Sequence, residues 1–152
     1  MTARIEILFG TQSGNAHNLA NVIGESLLNE GFDAVVRDMG EVEPESIFDM
    51  DTIIIVTSTH GDGEPPDNAS EWMSYLKFNE EINLDHLNFA VLGLGDNYYP
   101  HFCQCGKDFE EYLSKRGGHL LTDRLDCDLY YEEQYPDWLN GLIKVLKNKL
   151  PE

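Results

Sequence analysis

Two short runs, Asp51 to Ser58 and Asn88 to Leu94, are apolar almost without interruption and rich in isoleucine, valine and leucine. A half-buried strand alternates apolar and polar residues. A strand covered on both faces reads as a continuous apolar run, which is the pattern of parallel sheets sandwiched between helices. Parallel neighbours need a crossover connection of about a dozen residues or more. The intervening chain supplies one, with a Gly/Pro/Asp loop from Thr59 to Asn68 and then a helical pattern through Trp72, Tyr75 and Leu76.

The rest of the chain repeats this alternation. Arg4 to Phe9 reads as a first strand, with Ile5, Ile7 and Leu8 apolar and Gly10 ending it. From Gly14 to Glu30, Ala16, Leu19, Ala20, Ile23 and Leu27 recur at helical spacing, and Gly31 is a natural stop. Phe32 to Met39 offers a second strand. After Leu94 come a polar loop, a helix from about Phe102 to Arg116 and a strand near Leu120 to Leu125. Tyr135 to Lys149 closes the chain as a helix, with Trp138, Leu142, Val145 and Leu146 on one face. Strands alternating with helices predict an α/β, open, doubly wound sheet whose ligand site lies beyond the carboxyl ends of the strands. No repeat, low-complexity tract or linker interrupts residues 1–152, so one domain is expected.

Charge narrows the partners. With 28 acidic and 10 basic residues the net charge is -18, which repels phosphate backbones and anionic membranes and favours a basic protein surface. No apolar stretch is long enough to span a bilayer, and the amino terminus lacks the basic-then-apolar pattern of an export signal. A cytoplasmic, monomeric protein is expected. Cys103, Cys105 and Cys127 form neither a Cys-x-x-Cys pair nor a zinc set, and reduced thiols are expected.

Three loops follow the first, third and fourth predicted strands, where such a fold gathers its ligand residues. Thr11, Gln12, Ser13, Gly14, Asn15 and Ala16 bring two hydroxyls, two amides and a glycine to a helix start, a cradle able to hold a phosphate without lysine. The same residues also suit an ordinary helix cap. The Walker and dinucleotide glycine patterns are absent from this turn. Ser58, Thr59, His60 and Gly61 open the second loop, in which glycines would let backbone amides approach a flat ring. The third, from Leu94 through Gly95, Asp96, Asn97, Tyr98, Tyr99, Pro100, His101 and Phe102 to Cys103, offers adjacent tyrosines suited to stacking on a planar heterocycle.

These loops resemble those of flavodoxin-like FMN domains, most nearly that of the sulfite reductase flavoprotein, over nearly the whole chain. The stretch from Phe102 to Phe109 is similar as well, while Thr59-His60-Gly61 resembles short stand-alone flavodoxins of the MioC type. The resemblance implies a three-layer flavodoxin-like fold with a five-stranded parallel sheet of order 2-1-3-4-5, binding FMN. It also implies that Thr11 to Ala16 hold the phosphate and that Tyr99 stacks on the ring. Gly61 corresponds to the residue whose carbonyl can face flavin N5. Many diflavin reductases carry a tyrosine where this chain has His60.

No NADPH- or FAD-binding module is recognisable, so an NADPH-dependent flavoprotein reductase is expected as donor and a redox enzyme with a basic docking surface as acceptor. Other chemistry has little support. The five histidines lack the spacing of a metal pair, and no Gly-x-Ser-x-Gly elbow is present. Thr57, Ser58 and Thr59 stand where a receiver domain would need its aspartate. Asp62, Glu64, Asp67 and Asp96 read as a solvated acidic rim rather than a magnesium site. No catalytic residue is assigned. The expected function is one-electron shuttling, and a small NAD(P)H:quinone-type flavin oxidoreductase is the alternative.

Overall fold

The computed structural model describes residues 4–11, 14–59, 63–96, 98 and 100–149. Its centre is a parallel sheet built from β1 (Arg4–Gly10), β2 (Asp33–Asp38), β3 (Thr52–Ser58), β4 (Asn88–Leu94), β5 (His119–Leu120) and β6 (Leu125–Cys127). The strand order is β2-β1-β3-β4-β5, and β6 also pairs with β4. This is the predicted order, with one difference. The fifth strand is divided: β5 pairs with Asn88 and Phe89, β6 with Leu92 to Leu94, and residues 121–124 leave the ladder between them. Arg124 in that interval binds Glu110 at 2.5 Å and Asp126 at 2.8 Å.

Helices cover both faces, as the continuous apolar strands require. α1 (Asn15–Asn29) and α4 (Tyr131–Lys149) bury Leu19, Ile23, Leu27, Leu139, Leu142 and Leu146 against Ile5, Ile7, Ile54 and Leu92. α2 (Ser70–Phe78) and α3 (Gln104–Lys115) bury Trp72, Leu76, Phe109 and Leu113 against Leu8, Ile53, Ile55 and Val91. Successive side chains of β3 thus feed opposite cores, which is why the run from Ile53 to Val56 is apolar at every position. Two 3-10 segments, Met39–Glu41 and Pro44–Asp49, carry the chain from β2 to β3. α4 begins four residues earlier than Tyr135 and runs through Pro136, whose lost N–H falls in the second helical turn. Among the described residues, no helix is long and apolar enough to cross a membrane.

Candidate cofactor site

β1 turns to β2 in one direction and the chain returns through β3 on the other side of β1, so the carboxyl ends of β1 and β3 flank the switch in strand order. A cleft at this end is lined by Asn15, Ser58, Thr59, Leu94, Gly95 and Asp96 from the predicted loops, and by Asp128, Leu129 and Tyr131. The last three complete the wall after β6. They escaped prediction because the fifth strand was read as ending at Leu125, before its true carboxyl end.

The β1–α1 turn is set up for an anion. Gly14, at φ 92°, takes the left-handed conformation that glycine tolerates best, with nothing within 4 Å of the position a Cβ would occupy. Conformation and not space selects glycine here. Thr11 Oγ1 accepts the Gly14 N–H at 2.8 Å, which closes the turn, and among the described residues no side chain caps α1. The first N–H groups of α1 have no intrahelical acceptor. No acidic residue occupies its first turn either, although α2 carries Glu71 there and α4 carries Glu132 and Glu133. Ala16 turns its side chain into the core, so only its backbone can serve a ligand.

Thr59 ties the second loop to the third. Its N–H donates to Leu94 O at 3.1 Å, and its Oγ1 accepts the Cys105 N–H at 3.1 Å, capping α3 from another loop. Ser58 Oγ is buried without a hydrogen-bond partner at the cleft wall. Asp96 Oδ1 accepts the Tyr98 N–H at 3.0 Å, and the Tyr98 ring is 90% exposed. Pro100 and His101 are exposed, and Phe102 is half-buried.

Cys103 does not reach the cleft. It is buried at φ 54°, the one left-handed residue other than glycine among those described, with Sγ directed at Cys127 O 3.5 Å away. A Cβ on Gly95 would lie 3.0 Å from Cys103 N and 3.2 Å from its Sγ, so glycine is required for this close approach. Cys103 therefore shapes the loop from behind. Burial pushes all three thiols up to about 12, and each is free and neutral near pH 7. The assignments to Gln12, Ser13, His60, Gly61, Asn97 and Tyr99 lie outside the described residues.

Three of the four described histidines have other partners: His17 stacks on Phe9 at 4.2 Å, His86 lies 3.3 Å from Ile47 O, and His119 lies 2.9 Å from Asp85 O. Among the described residues, no group of three or more His, Cys, Asp or Glu is placed to hold a metal. The cleft loops contain no lysine or arginine; Glu64 and Asp67 of the second loop are exposed, and Asp96 and Asp128, which line the cleft, are half-buried.

An open doubly wound sheet with an uncapped helix start at its switch point defines a small mononucleotide-binding protein. The chain belongs to the flavodoxin family, whose cofactor is FMN and whose work is electron transfer; a family model for flavodoxin matches residues 7–138. It is 40% identical over 146 residues to the sulfite reductase [NADPH] flavoprotein alpha-component of Bacillus subtilis, covering 96% of this chain and 24% of that one. The corresponding protein of Vibrio vulnificus is 35% identical over 147 residues, again 24% of its length. The chain thus spans about a quarter of these curated relatives. Among solved structures, a flavodoxin from Streptococcus pneumoniae TIGR4 superposes with a TM-score of 0.86 at 28% identity, covering 97% of this chain and all of that one. Oxidised flavodoxin 2 from Bacillus cereus gives 0.83 at 31% identity, covering 93% and 99%.

The residues present fit FMN. An acid-free, uncapped helix terminus suits a phosphate, and the unpartnered Ser58 hydroxyl offers a hydrogen bond to a polar ligand atom at the cleft wall.

Proposed function

We propose that the chain acts as a single FMN domain spanning residues 1–152, taking electrons from an NADPH-dependent flavoprotein reductase and passing them to an acceptor enzyme with a basic docking surface. The observation that carries this reading is the opening of the acid-free α1 terminus, at Asn15, and the unpartnered Ser58 hydroxyl onto one cleft. Thr11, Gln12, Ser13, Gly14, Asn15 and Ala16 would form the phosphate cradle, with hydroxyl and amide side chains and the first N–H groups of α1 facing the ligand. Ser58, Thr59, His60, Gly61 and the segment from Leu94 to Phe102 would flank the ring, Tyr99 against its face and the Gly61 carbonyl toward N5. Bound FMN accepts and returns electrons one at a time. The acidic rim disfavours further negative charge in the cleft and so lowers the potential of the second electron. Cytoplasmic residence and a monomeric state complete the proposal, and nucleic acid has no part in it.

The sulfite reductase relatives, named as NADPH flavoproteins, support reductase-fed electron transfer over a quinone reductase acting alone. The FMN-loaded protein with NADPH and a quinone is expected to consume no NADPH above background. Adding an FAD-containing NADPH reductase should start consumption in proportion to the amount of chain present. Steady NADPH oxidation by the chain alone would replace the carrier with an enzyme.

A further inference from the structure

Asn68 lies at the end of the second loop, in the 3-10 turn Asp67–Ala69, and joins three parts of the chain that are distant in sequence. Its Oδ1 accepts the Thr11 N–H at 2.9 Å, and its Nδ2 donates to Asp38 Oδ1 at 2.9 Å. A carboxamide has one donor end and one acceptor end of nearly the same shape, so a neighbour must choose between its two orientations. Asp38 makes that choice. An ionised carboxylate only accepts, so it admits Nδ2 and leaves Oδ1 facing Thr11. Asp38 is itself held at the end of β2, where the same Oδ1 accepts the Gly40 N–H at 2.7 Å. Onward from Asn68, Thr11 Oγ1 accepts the Gly14 N–H. The chain of bonds therefore runs from Asp38 through Asn68 and Thr11 to the residue before α1. It turns the N–H groups of Thr11 and Gly14 toward protein acceptors and so ties down both ends of the turn. Among the described residues of the turn, the backbone donors left for a ligand are those of the first turn of α1.

We propose that Asn68, its amide oriented by Asp38, is a positioning residue that pre-organises the β1–α1 turn and so sets the preference for a phosphorylated flavin over an unphosphorylated one. The inference rests on the reading that this turn holds the FMN phosphate. Ordering a binding loop before the ligand arrives removes part of the entropy cost of binding. The benefit falls on the phosphate alone, because Asn68 is not among the residues lining the cleft.

The test is the affinity of the apoprotein for FMN and for riboflavin, each read from quenching of flavin fluorescence. The wild type is expected to prefer FMN. Asn68→Ala should weaken FMN about five- to tenfold, the worth of one ordering hydrogen bond, and leave riboflavin unchanged, so the preference falls by the same factor. Asn68→Asp keeps the shape but sets a carboxylate against Asp38, and should lose at least as much at pH 8. Adding Asp38→Asn to that variant removes the carboxylate–carboxylate repulsion and should recover part of the preference, because the amide at position 38 cannot use one atom both to donate to position 68 and to accept the Gly40 N–H. Should Asn68→Ala fail to fold, the isosteric variant and its rescue carry the test. A wild-type preference in Asn68→Asp, or equal losses for both flavins, would overturn the proposal. Equal affinities in the wild type itself would instead remove the phosphate reading on which it rests.

Discussion

Asn15→Asp is expected to move ligand-free stability and FMN affinity in opposite directions. Asn15 is the first residue of α1, is exposed, and lines the cleft. A carboxylate there meets the positive end of the helix dipole, worth about 0.3–1 kcal/mol, so the apoprotein should melt about 1–3 °C higher. With FMN present the same carboxylate opposes a phosphate dianion in loops that hold no lysine or arginine. Repulsion between charges about 5 Å apart, at screening between that of water and that of a protein surface, costs about 2–3 kcal/mol, a 30- to 150-fold loss of affinity. Calorimetric melting and FMN titration of the same variant check both signs. Unchanged FMN affinity would place the phosphate elsewhere. The opposed signs also account for an oddity of the sequence, since a chain with 28 acidic residues leaves vacant the one helix turn that opens on the cleft from β1.

Reversing charge on the rim should slow reduction by a partner far more than reversing it elsewhere. No lysine or arginine occurs between Arg37 and Lys77, a stretch that includes the whole second loop. Glu64 and Asp67 of that loop are exposed, and Asp96 stands on the cleft wall. Steering by complementary fields changes association rates by about 10- to 1,000-fold, and salt screens it beyond a Debye length of roughly 8 Å at physiological ionic strength. The double variant Asp67→Lys/Asp96→Lys is therefore expected to lower the second-order rate of reduction at least tenfold at low salt. Glu80→Lys/Glu81→Lys, exposed in the loop after α2 at the opposite end of the sheet, matches the change in net charge without touching the rim. Stopped-flow rates should separate the two pairs at low salt and converge as salt rises. Equal slowing by both would leave the acidic residues a general role in solubility.

What was legible in the sequence is what depends on local pattern. β3 and β4 could be bounded to within a residue because the positions from Ile53 to Val56 and from Phe89 to Leu92 each face one or other core and are apolar throughout. That Asn15, Ser58, Thr59, Leu94, Gly95 and Asp96 meet at one cleft could be anticipated because glycine, hydroxyl and amide residues cluster at predicted strand ends. Pro136 hid the first turn of α4 by imitating a boundary, although a proline so near a helix start removes few bonds. The wall formed by Asp128, Leu129 and Tyr131 was hidden by the interruption between β5 and β6, which carries the strand's carboxyl end on to Cys127. Asn68 and Thr59 show the remaining limit. Their decisive partners, Thr11 and Cys105, are 57 and 46 residues away, and no periodicity or spacing signals a bond made across the fold.

Cys103 follows directly on the predicted ring-binding segment, and its left-handed backbone turns the thiol inward beneath Gly95, so its side chain holds the shape of that loop.

The central claim is that this chain binds FMN in the cleft at the carboxyl ends of β1, β3 and β4. Titration of the apoprotein with FMN, followed by anaerobic reduction monitored by visible absorption, tests it most directly. The account predicts one FMN per chain, a flavin spectrum altered from that of the free cofactor, and uptake of electrons in two separable one-electron steps. A protein that takes up no FMN, and leaves the flavin spectrum unchanged at every concentration, would contradict it.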